Sequence, residues 1–419
     1  MPFFLLVLLG AGVAFAVTAL LTPAVRDLAL RRQWTDTPDG LRKLHTTTTP
    51  SVGGIAIFFG VAVALVTVSV VAPLAGLHVT MLHPVVYLGA VLVVMVGFVD
   101  DVRGLGFKTK FAVEILLAWA LLQAGYRIDL STVPFVGSDV FTGALWSIPL
   151  TALWIVGVMN AVNLIDGVDG LASGVAAIAF ASMALAFGFR GDVSAVLVAT
   201  LLVGSLIGFL LYNFNPASIF MGDSGSLFLG YALAVYSLSS PGNSNPSLAP
   251  LVPVLALGLP LLDTSLSVAR RVAGGKAMFA PDRDHIHHRM ADRMSTKRAV
   301  ITLYLVAAGF GLLAVLASSS GLGGVAGAVA GGGALAAGLL LRLGYIRLPY
   351  QRPMMVALPA DRVAGRATVR PAGPYLAPGG SAFGDGSGDG SGLDLSPAPA
   401  ASTGDGSSTP ELSRVSIGS

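Results

Sequence analysis

The 419-residue chain contains no cysteine, and that absence excludes disulfides, thiolate nucleophiles and cysteine-ligated metals together. Charge is scarce too. Asp, Glu, Lys and Arg make up 11% of the residues, where an ordinary soluble domain carries about 25%. So few charges cannot coat a single water-soluble globule. The net charge of +3 is too small, and the basic residues too clustered, to point to nucleic acid as a partner. Hydrophobic residues take the place of charge at 54% of the chain. They fall into runs of roughly 20 residues between Phe3 and Leu343, each long enough to cross a hydrocarbon core of about 30 Å. The expected fold class is therefore all-α, a polytopic integral membrane protein with about 11 transmembrane helices.

The apolar runs predict spans at 3–24, 52–73, 84–100, 109–125, 143–162, 171–189, 193–212, 224–240, 248–269, 299–318 and 322–343. The first run lacks a basic leader region and is too long for a signal peptide, so it reads as a membrane span. Lys and Arg gather in every second loop: Arg26 to Lys43, Arg103 to Lys110, and Arg270 to Arg298. Those loops are expected in the cytoplasm, and the alternate loops carry only Arg127 and Arg190. The N-terminus then faces outward and the C-terminus inward. RIDLSTVPFVGSDVFTG, before the fifth span, alternates apolar and polar residues and predicts a short external hairpin. Two domains are expected, a transmembrane catalytic domain over 1–350 and a cytoplasmic tail over 351–419. The tail is Gly/Ser/Pro/Asp-rich and too poor in apolar residues to offset its ordering entropy, so it reads as disordered. Its GDGSGDG run lacks the glutamate of a calcium loop and reads as linker.

Ionisable groups at span ends are costly in so apolar a chain, and by default they mark a function. Asp100 and Asp101 close the third span in GFVDDVRG; Asn160, Asn163, Asp166 and Asp169 sit where the fifth span meets the sixth; Asp223 lies between the seventh and eighth. The predicted topology brings all of them to the cytoplasmic face. Two adjacent carboxylates cannot both ionise cheaply, so the Asp100–Asp101 pair requires a divalent cation, a nearby arginine or one raised pKa. In NAVNLIDGVDGLASG, the Asp and Asn oxygens suit a hard ion such as Mg²⁺, although Asn163 and Asp169 could each be a helix N-cap. In FNPASIFMGDSGSLFLG, Asp223 precedes small residues opening a helix, whose N-terminus could receive an anion; capping by Asp223 or Ser224 is the competing reading. Phe220 could stack on a base or simply sit at the membrane interface. His285, His287 and His288 could in principle ligate zinc, but the interleaved Arg283, Arg289 and Arg293 favour a polyanion. Arg42, Lys43 and His45 suit a polyanion equally, or a positive-inside anchor.

Taken together, RKLHTTTTPSVGG, GFVDD, NAVNLIDGVDGLASG, FMGDSGSLFLG, LLDTSLSVARR and PDRDHIHHRM resemble the polyprenyl-phosphate N-acetylhexosamine-1-phosphate transferases of glycosyltransferase family 4. The resemblance covers about residues 1–343. The HIHH form of the last motif is similar to the bacterial GlcNAc branch rather than the muramoyl-pentapeptide branch. The resemblance implies that Asn163 and Asp223 contact Mg²⁺, with Mn²⁺ as a substitute, and the substrate pyrophosphate. It implies catalytic roles for Asp100, Asp101, Asp166 and Asp223, and places Asp169 and Phe220 on the uridine. Arg283, His285, His287 and His288 are implied on the sugar-phosphate side, with Arg42, Lys43 and His45 as further anion ligands; Asp263 has no role assigned. The implied reaction is attack by a lipid phosphate oxygen on the β-phosphorus of UDP-GlcNAc, with UMP leaving. The implied partners are UDP-GlcNAc, a polyprenyl phosphate carrier and membrane lipid, with no nucleic acid and with a homodimer as a compatible assembly. The implied location is the bacterial cytoplasmic membrane. The alternatives are the muramoyl-pentapeptide transferase and, from another class, an ion-coupled transporter, whose acidic sites should lie near the bilayer midplane.

Overall fold

The computed structural model describes residues 2–36, 48–80, 82–128, 144–238, 251–275, 285–319 and 322–345. All of them belong to the first of two units, Met1–Arg352 and Pro353–Ser419. Arg42, Lys43, His45, Arg283, the predicted external hairpin beyond its first two residues and the predicted tail lie outside the described residues.

Inside hydrocarbon, every backbone N–H and C=O must bond within its own segment, so the apolar runs fold as helices. In chain order these are α1 (Phe3–Arg32), α2 (Gly54–Leu74), α3 (Pro84–Arg103), α4 (Phe107–Gln123), α5 (Ala144–Ile165), α6 (Leu171–Gly188), α7 (Val193–Asn213), α8 (Gly222–Leu238), α9 (Leu251–Ala256), α10 (Gly258–Ala273), α11 (Ile286–Ala291), α12 (Thr296–Ser319) and α13 (Leu322–Arg342). The only strands among the described residues are β1 (Thr35–Asp36) and β2 (Thr49–Pro50), paired antiparallel. The chain is thus an all-α polytopic membrane protein. Eight of the described helices are long and apolar enough to cross a membrane. α4 and α8, at 17 residues each, are shorter.

Two predicted spans differ from the structure. The first does not stop near residue 24: α1 runs to Arg32, 30 residues and so about 45 Å. Its added turns carry Asp36 to the cleft described below. The ninth, expected unbroken over 248–269, is split at Leu257 into α9 and α10. Pro260 has no N–H to offer Ala256, so the helical ladder is interrupted there.

The centre of the bundle is α8, whose residues from Ser224 to Tyr236 are almost all buried, with α2, α3 and α5 packed around it. Small residues set how closely these helices approach. A Cβ on Gly97 of α3 would stand 2.5 Å from Ser224 N, and one on Gly54 would stand 2.1 Å from Gly225 N. Only glycine lets α2 and α3 reach the backbone of α8 at these points. The start of α2 is also zipped to the segment before α8: Phe220 N donates to the Pro50 carbonyl (2.7 Å), and Gly53 N and Gly54 N donate to the carbonyls of Phe220 and Met221 (3.0 and 2.8 Å). These contacts gather the polar helix ends on one side.

Candidate active site

That side holds a cleft of about 620 Å³. Of the residues singled out in the sequence, Asp100, Asp101, Asn163, Asp166, Asp169, Phe220, Asp223 and His288 line it. They come from the ends of α3, α5 and α8, the turn after α5, the segment before α8 and the short helix α11.

The adjacent acids Asp100 and Asp101 have different surroundings. Asp100 accepts from the Leu105 backbone N–H with one oxygen and from Lys110 Nζ with the other, at 2.7 Å. Asp101 lies one turn beyond Gly97 on the same face of α3. Because Gly97 lets that face touch the start of α8, Asp101 reaches two of its unbonded amides, Asp223 N (2.7 Å) and Ser224 N (3.1 Å). The N-terminus of α8, expected to be open to an anion or capped by Asp223 or Ser224, is thus capped by a carboxylate from another helix. The charged side chain beside Asp100 is a lysine, not an arginine.

Lys110 is the residue that the sequence reading missed. Its ammonium donates to Asp100 Oδ2 and, at 2.8 Å, to Asp223 Oδ2, while Asn163 Nδ2 donates to Asp223 Oδ1 at 2.7 Å and to Ser226 Oγ at 2.9 Å. One ammonium therefore ties the end of α3 to the start of α8. Glu114, one turn further along α4, is 4% exposed and accepts from Asn160 Nδ2 at 2.6 Å. A lysine and a glutamate at i and i+4, the glutamate inside the apolar run that follows, were the available signal.

The turn Asp166–Gly170 follows α5. Gly170 closes it at φ 76°, and its carbonyl accepts from Tyr304 Oη at 2.5 Å. Burial, then the charges of Asp223 and Asp169, push the Asp166 carboxyl up to about 7. Asp169 accepts from Asn215 Nδ2 (2.9 Å) and Ala217 N (3.0 Å), both through Oδ2, and so anchors the segment that carries Phe220 along the cleft.

The histidine motif divides. His288 lines the cleft, and burial, followed by the neighbouring His287 and His285, holds it down at about 4, so it is neutral at pH 7. His285 and His287, expected beside it as anion ligands, are instead 4% and 3% exposed and turned towards Asp263 of α10. Arg289 and Arg293, expected to face phosphate, reach the end of α13: Arg293 donates to the carbonyls of Arg342 (2.6 Å) and Leu343 (2.9 Å), and Arg289 lies over the Tyr345 ring at 3.9 Å.

Among the described residues, no three His, Asp or Glu side chains form a complete metal cage. The donors present are hard oxygens, few in number, in a pocket that already draws an ammonium between two carboxylates. Such a set fits Mg²⁺, which keeps water and substrate phosphate among its ligands, and does not fit zinc.

The family model described as Glycosyl transferase family 4 matches residues 83–240, which hold the whole carboxylate cluster. The chain is 36% identical over 313 residues to a probable undecaprenyl-phosphate N-acetylglucosaminyl 1-phosphate transferase of Bacillus subtilis, covering 74% of this chain and 85% of that protein. It is 35% identical over 323 residues to the decaprenyl-phosphate N-acetylglucosaminephosphotransferase of Mycobacterium tuberculosis H37Rv, covering 72% and 79%. Against the undecaprenyl-phosphate alpha-N-acetylglucosaminyl 1-phosphate transferase of Escherichia coli K12, identity is 26% over 314 residues, covering 73% and 82%.

Proposed function

The chain belongs to glycosyl transferase family 4, and from that premise we propose that it transfers GlcNAc-1-phosphate from UDP-GlcNAc to a polyprenyl phosphate, releasing UMP, at the cytoplasmic face of a bacterial plasma membrane. The observation that carries this reading is the Lys110 ammonium held between Asp100 and Asp223, two carboxylates of a cleft also lined by Asn163 and Asp166. Both substrates are anionic at the reacting centre, so their repulsion must be neutralised before a phosphate oxygen can attack phosphorus.

Lys110 is placed to donate to a phosphate oxygen, and Asp100 keeps it charged and aimed. Asp101 has both oxygens on backbone amides of α8, so its part is to fix Asp223 in place. Asp223, Asp166 and the amide oxygen of Asn163 would hold Mg²⁺, or Mn²⁺ as a substitute, which when bound supplies further neutralising charge. His288, neutral at pH 7, donates one ring N–H towards the sugar-phosphate, while Asp169 and Phe220 border the uridine. A phosphate monoester has a second pKa of about 6 and is mostly ionised at pH 7. The lipid phosphate therefore needs orientation more than a general base.

The GlcNAc donor is favoured over a muramoyl-pentapeptide by the relatives' names. Transport is disfavoured by where the polar groups lie. A second cavity of about 290 Å³ among α2, α3, α7 and α8 is lined by aliphatic and aromatic side chains such as Phe58, Val86 and Val235. Purified protein given Mg²⁺, a polyprenyl phosphate and a panel of radiolabelled UDP-sugars should yield lipid-extractable label from UDP-GlcNAc, and label abolished by EDTA. No labelled lipid from any UDP-sugar would overturn the reading. For the orientation, a single cysteine at Ser295 should resist a membrane-impermeant thiol reagent in intact cells, and one at His78 should react.

A further inference from the structure

Asp263 is 1% exposed and lies on α10, outside the cleft. A carboxylate buried this deeply is tolerated only if donors surround it. Among the described residues, both of its hydrogen-bond partners come from the histidine motif, and a third member of the motif lies close by. Ile286 N donates to Oδ1 at 2.8 Å, His285 Nδ1 is hydrogen-bonded to Oδ2 at 3.2 Å, and His287 Nδ1 lies 3.5 Å from the same oxygen, within ion-pair range but without a hydrogen bond. The His285 and His287 rings stack with centroids 5.4 Å apart and planes 13° from parallel.

The far side of His287 meets the cleft turn. Its Nε2 stands 3.0 Å from where a Cβ on Gly167 would be, and only a glycine accepts a ring at that distance without displacement. Gly167 follows Asp166 directly. The next residue along α11, His288, lines the cleft, with its ring centroid 4.4 Å from that of His287. Two parts of the cleft wall thus rest on the same buried group.

We infer that Asp263 is a positioning residue for the transfer reaction: through His285 and His287 it fixes the Asp166–Gly167 turn and His288 at one separation. The inference rests on the transferase reading above. Asp263 touches no reactant and acts only through the two inward histidines. The HIHH motif is then two devices in one segment, an anchor made of its first and second histidines and a ligand made of its third.

The test uses the full-length protein in detergent. Diethyl pyrocarbonate footprinting read by mass spectrometry should modify His288 in the wild type and spare His285 and His287; in Asp263→Asn, His287 should become reactive. Asp263→Asn should lower kcat at least 10-fold, with KM for UDP-GlcNAc within about 3-fold and the protein still monodisperse. Gly167→Ala presses on His287 from the opposite side and should lower kcat similarly while Asp263 is intact, which covers the case of an Asp263 variant that does not fold. Wild-type kcat in both variants, or a wild-type footprint in Asp263→Asn, would overturn the inference. A wild-type enzyme that moves no GlcNAc-phosphate would instead refute the functional reading, and the footprint would still report on the anchor.

Discussion

Along one wall of the cleft, Asp100, Asp101 and Asp223 stand on the ends of long helices and bond directly to the neighbouring helix or its lysine. Along another, His288 rides on the six-residue α11, which is held from behind by Asp263 and by the end of α13. The carboxylate wall is self-bracing: each acid is a cleft group and also bonds to a group of another helix or loop, so removing one disturbs the packing as well as the chemistry. The histidine wall separates the two jobs. Its cleft group is a single ring, and its stability comes from residues that never reach the cleft.

The contrast is sharpest at Asp223. Asp223→Asn removes a charge that Lys110 and the proposed cation share, and turnover should fall at least about 10²-fold, comparable to losing one strong electrostatic contact. Steady-state transfer with purified variant checks it. A loss smaller than that of His288→Ala would break the comparison, because the carboxylate wall would then not dominate.

His288→Ala deletes one neutral donor at the rim. A hydrogen bond of about 1 to 1.5 kcal/mol corresponds to roughly 10-fold in turnover. The variant should keep the wild-type melting temperature within a few degrees, since the anchor through His285 and His287 is untouched.

The bracing by α13 predicts a length dependence. Protein ending after Arg352 should keep its specific activity within about 2-fold, as the residues beyond lack the composition to pack. Protein ending after Arg342 loses the Leu343 carbonyl that Arg293 and Arg289 hold and the Tyr345 ring beneath Arg289 and Arg270. It should lose about 3-fold to 10-fold, each lost contact being on the order of 1 kcal/mol. Equal activity in the two truncations would show that the histidine wall stands without its rear support.

The smallest effect is in pH. Asp166, raised to about 7 in the folded protein, favours the folded state below its unfolded value near 4, and this contribution is lost as pH rises through 7. His288, lowered to about 4, contributes stability above its unfolded value near 6.5 that is lost as pH falls through 4. The two oppose each other between pH 4 and 7, so the melting temperature in EDTA should change little there. Mg²⁺ must displace the Asp166 proton, so it should raise the melting temperature more at pH 8 than at pH 6. A larger rise at pH 6 would remove Asp166 from the cation's ligands.

Much of this molecule follows from local pattern. Apolar runs of membrane length and the alternation of basic loops depend only on neighbours in the chain, so the helices and the gathering of acidic motifs at one end can be read directly. Asp100, Asn163, Asp166 and Asp223 stand out because a charge or amide at the end of an apolar span has few other uses. The pairings are another matter. Lys110 lies 113 residues from Asp223, and the predicted topology assigns it only to a positive loop. That it meets two carboxylates of the cleft depends on α3, α4 and α8 being packed together, and that Asp101 caps α8 depends on the close approach allowed at Gly97.

The inward turn of His285 and His287 is of the same kind. Histidines beside arginines carry the chemistry of an anion site, and nothing within the motif says that Asp263, more than 20 residues earlier, will claim two of the three. The sequence by itself determined which residue types the cleft would contain and that they would gather at one end of the bundle, because partition into hydrocarbon is settled by each segment's own composition. Only the tertiary structure decided which acid meets which donor, because hydrogen bonds and ion pairs act over about 3 Å and that separation is set by how whole helices pack.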